Sequence, residues 1–136
     1  MLISTLYVSR SRIEPTRATA AIADLVEVSI ANNLRRDITG ALLFTGAHFA
    51  QILEGREDVI TALMKSIGRD ERHDQLTVIN QAPLKERIFH DWALAYNGPS
   101  LFIARHVARV LASPPGVDKQ RTARWLTDTM LELMTV

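Results

Sequence analysis

The chain has 136 residues, 47% of them hydrophobic, and 16 Lys+Arg against 15 Asp+Glu give a formal charge of +1. That size and apolar content suit one globular domain with a sizeable core, while the near-neutral balance argues against a broad nucleic-acid footprint. Cysteine is absent, which excludes a disulfide framework and thiolate zinc sites, and no apolar run approaches the roughly 20 residues of a membrane span.

The N-terminus Met1-Leu-Ile-Ser-Thr-Leu-Tyr7 lacks a basic segment followed by a long apolar one, so a cytoplasmic protein is expected. Residues 2–9 read as a strand, with Leu6 and Val8 on one side and Thr5, Tyr7 and Ser9 on the other. Residues 16–34 switch to helical period, with Ile22, Leu25, Val26 and Ser29 at spacings of three and four and Thr16 placed to cap the start. Residues 38–45 and 48–54 form a hairpin turning at Gly46-Ala47. Glu57–Gly68 is a second helix, with Val59, Ile60, Leu63, Met64 and Ile67 along its apolar stripe and Gly68 as its C-cap. Two more strands follow at residues 75–81 and 92–96.

The order β-α-β-β-α-β-β predicts an α+β, ferredoxin-like sheet with two helices on one face. Residues 1–97 would form that unit. Residues 98–136 would add two helices on the other face as an extension, not as an independent domain. Ser100 is placed to cap the first of these, which holds Phe102, Ile103, Val107, Val110 and Leu111. Ser113-Pro-Pro-Gly116 breaks it, since consecutive prolines cannot continue a helix. Trp125, Leu126, Met130 and Leu133 lie at core spacings on the second.

Several chemistries are excluded. Neither glycine-rich phosphate loop nor a G-x-S-x-G nucleophile elbow is present, and the histidines show no metal-ligand spacing. Polar residues in apolar places are more informative. Period-2 alternation puts Gln51 on the same strand face as Phe49 and Leu53. A buried amide without partners costs roughly 1–3 kcal/mol, so something must meet both of its ends. Neighbouring backbone is the plainer candidate for a lone glutamine. Asn32, Asn33 and Ser29 continue the first helix's inward stripe, although asparagine is also common at helix ends. Tyr7 shares that inward side if the helices cover it. Together these groups suit a flat heterocycle with a polar edge and apolar faces.

Six separated segments resemble the BLUF family, blue-light sensors that use FAD. They are Leu6-Tyr7-Val8-Ser9, Ser29-Ile-Ala-Asn-Asn33, Asp37-Ile-Thr-Gly-Ala-Leu42, Phe49-Ala-Gln-Ile-Leu-Glu-Gly55, Ile67-Gly-Arg-Asp-Glu-Arg-His73 and Arg87-Ile-Phe-His-Asp-Trp92. The resemblance spans about residues 2–96 and implies noncovalent FAD between the two helices. It implies that Tyr7, Gln51 and Trp92 carry the photochemistry, with Tyr7 giving an electron and a proton and Gln51 reorienting. It further implies a cofactor-binding set of Tyr7, Ser29, Asn32, Asn33, Gln51, Asp70, Arg72 and His73, with no metal.

One departure is Leu94, where the family commonly has methionine. Leucine keeps the volume but has no thioether to meet the Gln51 amide. The chain is expected to be a non-enzymatic photoreceptor that signals through its C-terminal helices, as a homo-oligomer or to a downstream protein, without direct contact to nucleic acid or membrane. Residues 102–111 and 125–134 are the expected self-association surfaces. The alternative from another class is a ferredoxin-like binding module without photochemistry.

Overall fold

The computed structural model describes the backbone of residues 1–97, 101–112 and 119–134. In chain order it runs β1 (Leu2–Ser11), α1 (Ala18–Arg35), β2 (Thr39–Phe44), β3 (His48–Arg56), α2 (Glu57–Gly68), β4 (His73–Pro83), β5 (Trp92–Asn97), α3 (Leu101–Ala112) and α4 (Lys119–Met134). The strands form one sheet in the order β4-β1-β3-β2-β5. The first four pair antiparallel, as a ferredoxin-like sheet requires, and β5 joins β2 in parallel. Ser100, the break at residues 113–116 and the side chains of Leu94, Phe102, Ile103, Val110 and Met134 lie outside the described residues.

Alternation along the strands sorts the core into two layers. Ile22, Leu42, Phe44, Phe49, Leu53, Ile60 and Trp92 pack together on the face covered by α1 and α2. Leu6, Val8, Leu43, Ile52 and Phe89 pack on the other face with Val107 of α3 and Ala123, Leu126 and Met130 of α4. The spacing of Ala123, Leu126 and Met130 is one helix stripe, so α4 lies along the sheet. Leu126 and Met130 are fully buried there and Trp125 packs against the same cluster, so within the 125–134 segment these residues serve the fold rather than a free surface.

Local chemistry departs from the sequence expectation at both helix boundaries. Thr16 does not cap α1. It sits inside a single 3-10 turn, Pro15–Arg17, and α1 begins at Ala18 without a side-chain cap. At the other end of α1, Asp37 takes φ 55, a left-handed conformation that a short polar side chain tolerates. Gly68 is the last residue of α2 and has no positive φ, so the expected glycine cap is absent and Arg69 follows in helical geometry. Glu57 and Asp58 occupy the first turn of α2, where negative charge complements the helix dipole.

Candidate functional site

The β1–β3 register sets the centre of the site. Tyr7 lies directly opposite Gln51, and Gln51 in turn lies opposite Leu42 of β2. The three side chains therefore form one row on the α1–α2 face. Above that row, α1 and α2 leave a cavity of about 300 Å³. Leu25, Val28, Leu63, Ile67, Leu42 and Phe49 wall it with apolar surface. Tyr7, Gln51, Asn32, Asn33, Ser29, Asp70, Arg72 and His73 supply its polar lining, so every residue expected to bind the cofactor borders the same space.

Within the cavity the Tyr7 hydroxyl donates to Gln51 Oε1 at 2.5 Å, and both side chains are buried. The amide oxygen is thereby committed to the phenol, and the NH2 end is left for another partner. Asn33 is 4% exposed and its side chain borders the cavity. Asn32 is held differently, because its Oδ1 accepts from the Arg35 guanidinium one turn along α1. Burial pushes the Tyr7 phenol well above its ordinary pKa, and the negative charge of Asp70 adds to this while Arg72 opposes it.

Asp70 and Arg72 are tied to each other, and His73 to the elements on either side of it. Asp70 accepts from the backbone N–H of Arg72 at 2.9 Å and from its Nη2 at 2.5 Å. Those bonds hold the Asp70 carboxyl below the usual range and raise the Arg72 guanidinium. His73 Nε2 meets the Ile67 carbonyl at 2.7 Å, so that nitrogen carries the proton, and Nδ1 meets Ser9 Oγ at 2.7 Å. With both nitrogens engaged, His73 ties the end of α2 to β1, and its ring lies edge-on to Tyr7 and Phe49, 6.1 Å from each.

Trp92 is not among the cavity-lining residues. It pairs in register with Gly40, packs in the adjoining core, and its Nε1 is buried without a partner. Asp24, Val28 and Ser66 border the cavity although the sequence reading did not single them out. The signal for the first two was present as a second stripe, Asp24-Val28-Asn32, at i, i+4 and i+8 beside Leu25-Ser29-Asn33.

A flat ring with apolar faces and a hydrogen-bonding edge fits this arrangement, because apolar helix residues and the amides of Asn32, Asn33 and Gln51 line the same cavity. Residues 2–95 match the family model for sensors of blue-light using FAD, BLUF. The chain is 37% identical over 73 residues to the blue light- and temperature-regulated antirepressor of Escherichia coli (strain K12), a match covering 54% of this chain but 18% of that protein. Klebsiella pneumoniae BlrP1, solved with FMN and cyclic diGMP, is 32% identical with a TM-score of 0.63, covering 69% of this chain and 25% of that one. BlrB, a BLUF protein solved in its dark state, is 26% identical with a TM-score of 0.69, covering 99% and 97% of the two chains. With the family model matched over more than half of its length, the chain belongs to the BLUF family, the sensors of blue-light using FAD.

Proposed function

We propose that the chain is a cytoplasmic blue-light receptor in which the Tyr7–Gln51 pair converts light absorbed by noncovalent FAD into a change of hydrogen bonding. The observation that carries this reading is the buried 2.5 Å bond from the Tyr7 hydroxyl to Gln51 Oε1 at the floor of the α1–α2 cavity. Asn33 would hold the polar edge of the ring through its side-chain amide, which borders the cavity. Leu25, Val28, Leu63 and Ile67 would cover its faces. When bound, FAD supplies the absorption of blue light and, once excited, a strong demand for an electron.

Tyr7 meets that demand as a neutral phenol, since burial keeps its proton on. Loss of an electron makes the phenolic proton strongly acidic, and its direct acceptor is Gln51 Oε1. A proton shared onto that oxygen would undo the existing Tyr7–Gln51 bond and let the amide reorient. When electron and proton return to Tyr7, Gln51 can present its other end to the ring without any net change of charge. Asp70 and Arg72 pair with each other, His73 holds the end of α2 against β1, and all three shape the cavity rim.

Output then passes through the sheet to α3 and α4, and from there to a second copy of the chain or a signalling protein. Among the described residues no set suggests turnover of a substrate. The chain spans less than a fifth of the length of the antirepressor, and that protein's partners are its own. Light scattering on dark and illuminated samples tests self-association, and a monomer in both restricts output to a different protein.

Gln51→Leu and Tyr7→Phe test the switch. Each should retain FAD and lose the reversible light-induced red shift. Each leaves at most one partner unsatisfied, costing about 1–3 kcal/mol, which a domain of typical stability, about 5–15 kcal/mol, survives. A wild-type shift and recovery in Gln51→Leu would refute an amide switch at this position.

A further inference from the structure

Glu54 is the fully buried acid of β3, three residues beyond Gln51 and on the opposite face of the sheet. Its carboxylate is met by three donors. Oε1 accepts from Thr39 Oγ1 at 2.8 Å and from the backbone N–H of Phe89 at 3.0 Å. Oε2 accepts from the backbone N–H of Ile88 at 2.8 Å. Arg87 closes the network from the other side. Its Nη1 donates to Thr39 Oγ1 at 2.8 Å and to the Glu54 carbonyl at 3.0 Å, and its Nη2 donates to the Asp37 carbonyl at 2.7 Å.

These bonds do more than fill a buried acid's needs. They fasten Arg87, Ile88 and Phe89, in the middle of the segment between β4 and β5, onto the strand that carries the proposed switch. Phe89, whose N–H is one of the donors, is 1% exposed and belongs to the cluster that includes Leu126 and Met130 of α4. The same segment leads directly into Trp92 and β5. A buried carboxylate resists separation from its donors because any lost bond leaves charge without solvent or partner. Movement of β3 therefore pulls this segment with it, where a contact through alkyl groups would slip.

We propose that Glu54 is a positioning residue for signal output, coupling the state of Gln51 on β3 to residues 84–91 and, through Phe89, to the seating of α4. The proposal rests on the amide-switch reading above and adds the route from switch to output. It concerns neither FAD binding nor the primary photochemistry, since Glu54 does not border the cavity.

Glu54→Gln is the direct test. The amide keeps the size and an oxygen for Thr39 and Phe89, but its NH2 would face the Ile88 N–H, donor against donor. FAD binding and the light-minus-dark flavin spectrum should match wild type. Hydrogen exchange, measured in dark and illuminated FAD-loaded protein, should lose its light-dependent change over residues 84–91 and 119–134. A full wild-type exchange response in Glu54→Gln would overturn the proposal. Wild-type protein gives a second arm that does not depend on the variant folding, because the Ile88 and Phe89 amides should change protection on illumination. A normal spectral shift with both amides unchanged would contradict the Glu54 tie alone. A missing spectral shift in wild type would contradict the amide-switch reading instead.

Discussion

Tyr7 shows how one side chain's burial sets a pH response. A phenol in this site keeps its proton past the ordinary tyrosine value of 10.0, because the phenolate would be desolvated and would face Asp70. The unfolded chain has no such constraint. Above about pH 10 the unfolded state binds fewer protons at this residue than the folded state, so stability must fall with rising pH. The contribution is fully present below the unfolded value and is lost above it. Urea titrations from pH 8 to 11 should show that decline in the wild type and a shallower one in Tyr7→Phe. Parallel declines would mean that Tyr7 titrates in the fold as it does in the unfolded chain.

At the scale of the elements, the hairpin is fixed by backbone approach as much as by side chains. Gly40 has φ +148, and an added Cβ would sit 1.9 Å from the Ile52 carbonyl oxygen. Neither can be relieved by a rotamer, since both involve backbone. Gly40→Ala should cost about 3 kcal/mol or more by urea unfolding. Gly68→Ala is the contrast, because a Cβ there meets nothing within 4 Å at the last turn of α2. It should stabilise by about 0.5–1 kcal/mol through reduced freedom of the unfolded chain. Equal effects at the two positions would contradict this account of the hairpin.

The elements also show what could be read before any coordinates. Strand alternation grouped Gln51 with Phe49 and Leu53, and Tyr7 with Thr5 and Ser9, and helical spacing put Asn32 and Asn33 on α1's inward stripe, because each depends on local periodicity. That Tyr7 and Gln51 share a face is set by the β1–β3 register. Thr16 misled, since Pro15 favours a 3-10 turn that delays α1. The rotation of α1 about its axis brings Asp24 and Val28 to the cavity rim, and that rotation is decided by packing against the sheet. The bonds among Asp37, Thr39, Glu54 and Arg87 join residues distant along the chain, so no local pattern announces them.

Across the whole molecule, one sheet serves two purposes. Its α1–α2 face holds the cavity, and its other face seats α3 and α4 on a packed apolar layer. A change at Gln51 has only the thickness of a strand to cross before it meets the packing that holds the C-terminal helices. Among the described residues no helix is long and apolar enough to cross a membrane. The measurement that tests the central claim most directly is the absorption spectrum of the purified protein before, during and after blue illumination. The account predicts flavin bands from FAD that denaturation releases completely, and a red shift under blue light that reverses in the dark. Protein that takes up no FAD even on reconstitution, or that holds FAD whose bands do not shift, would contradict it.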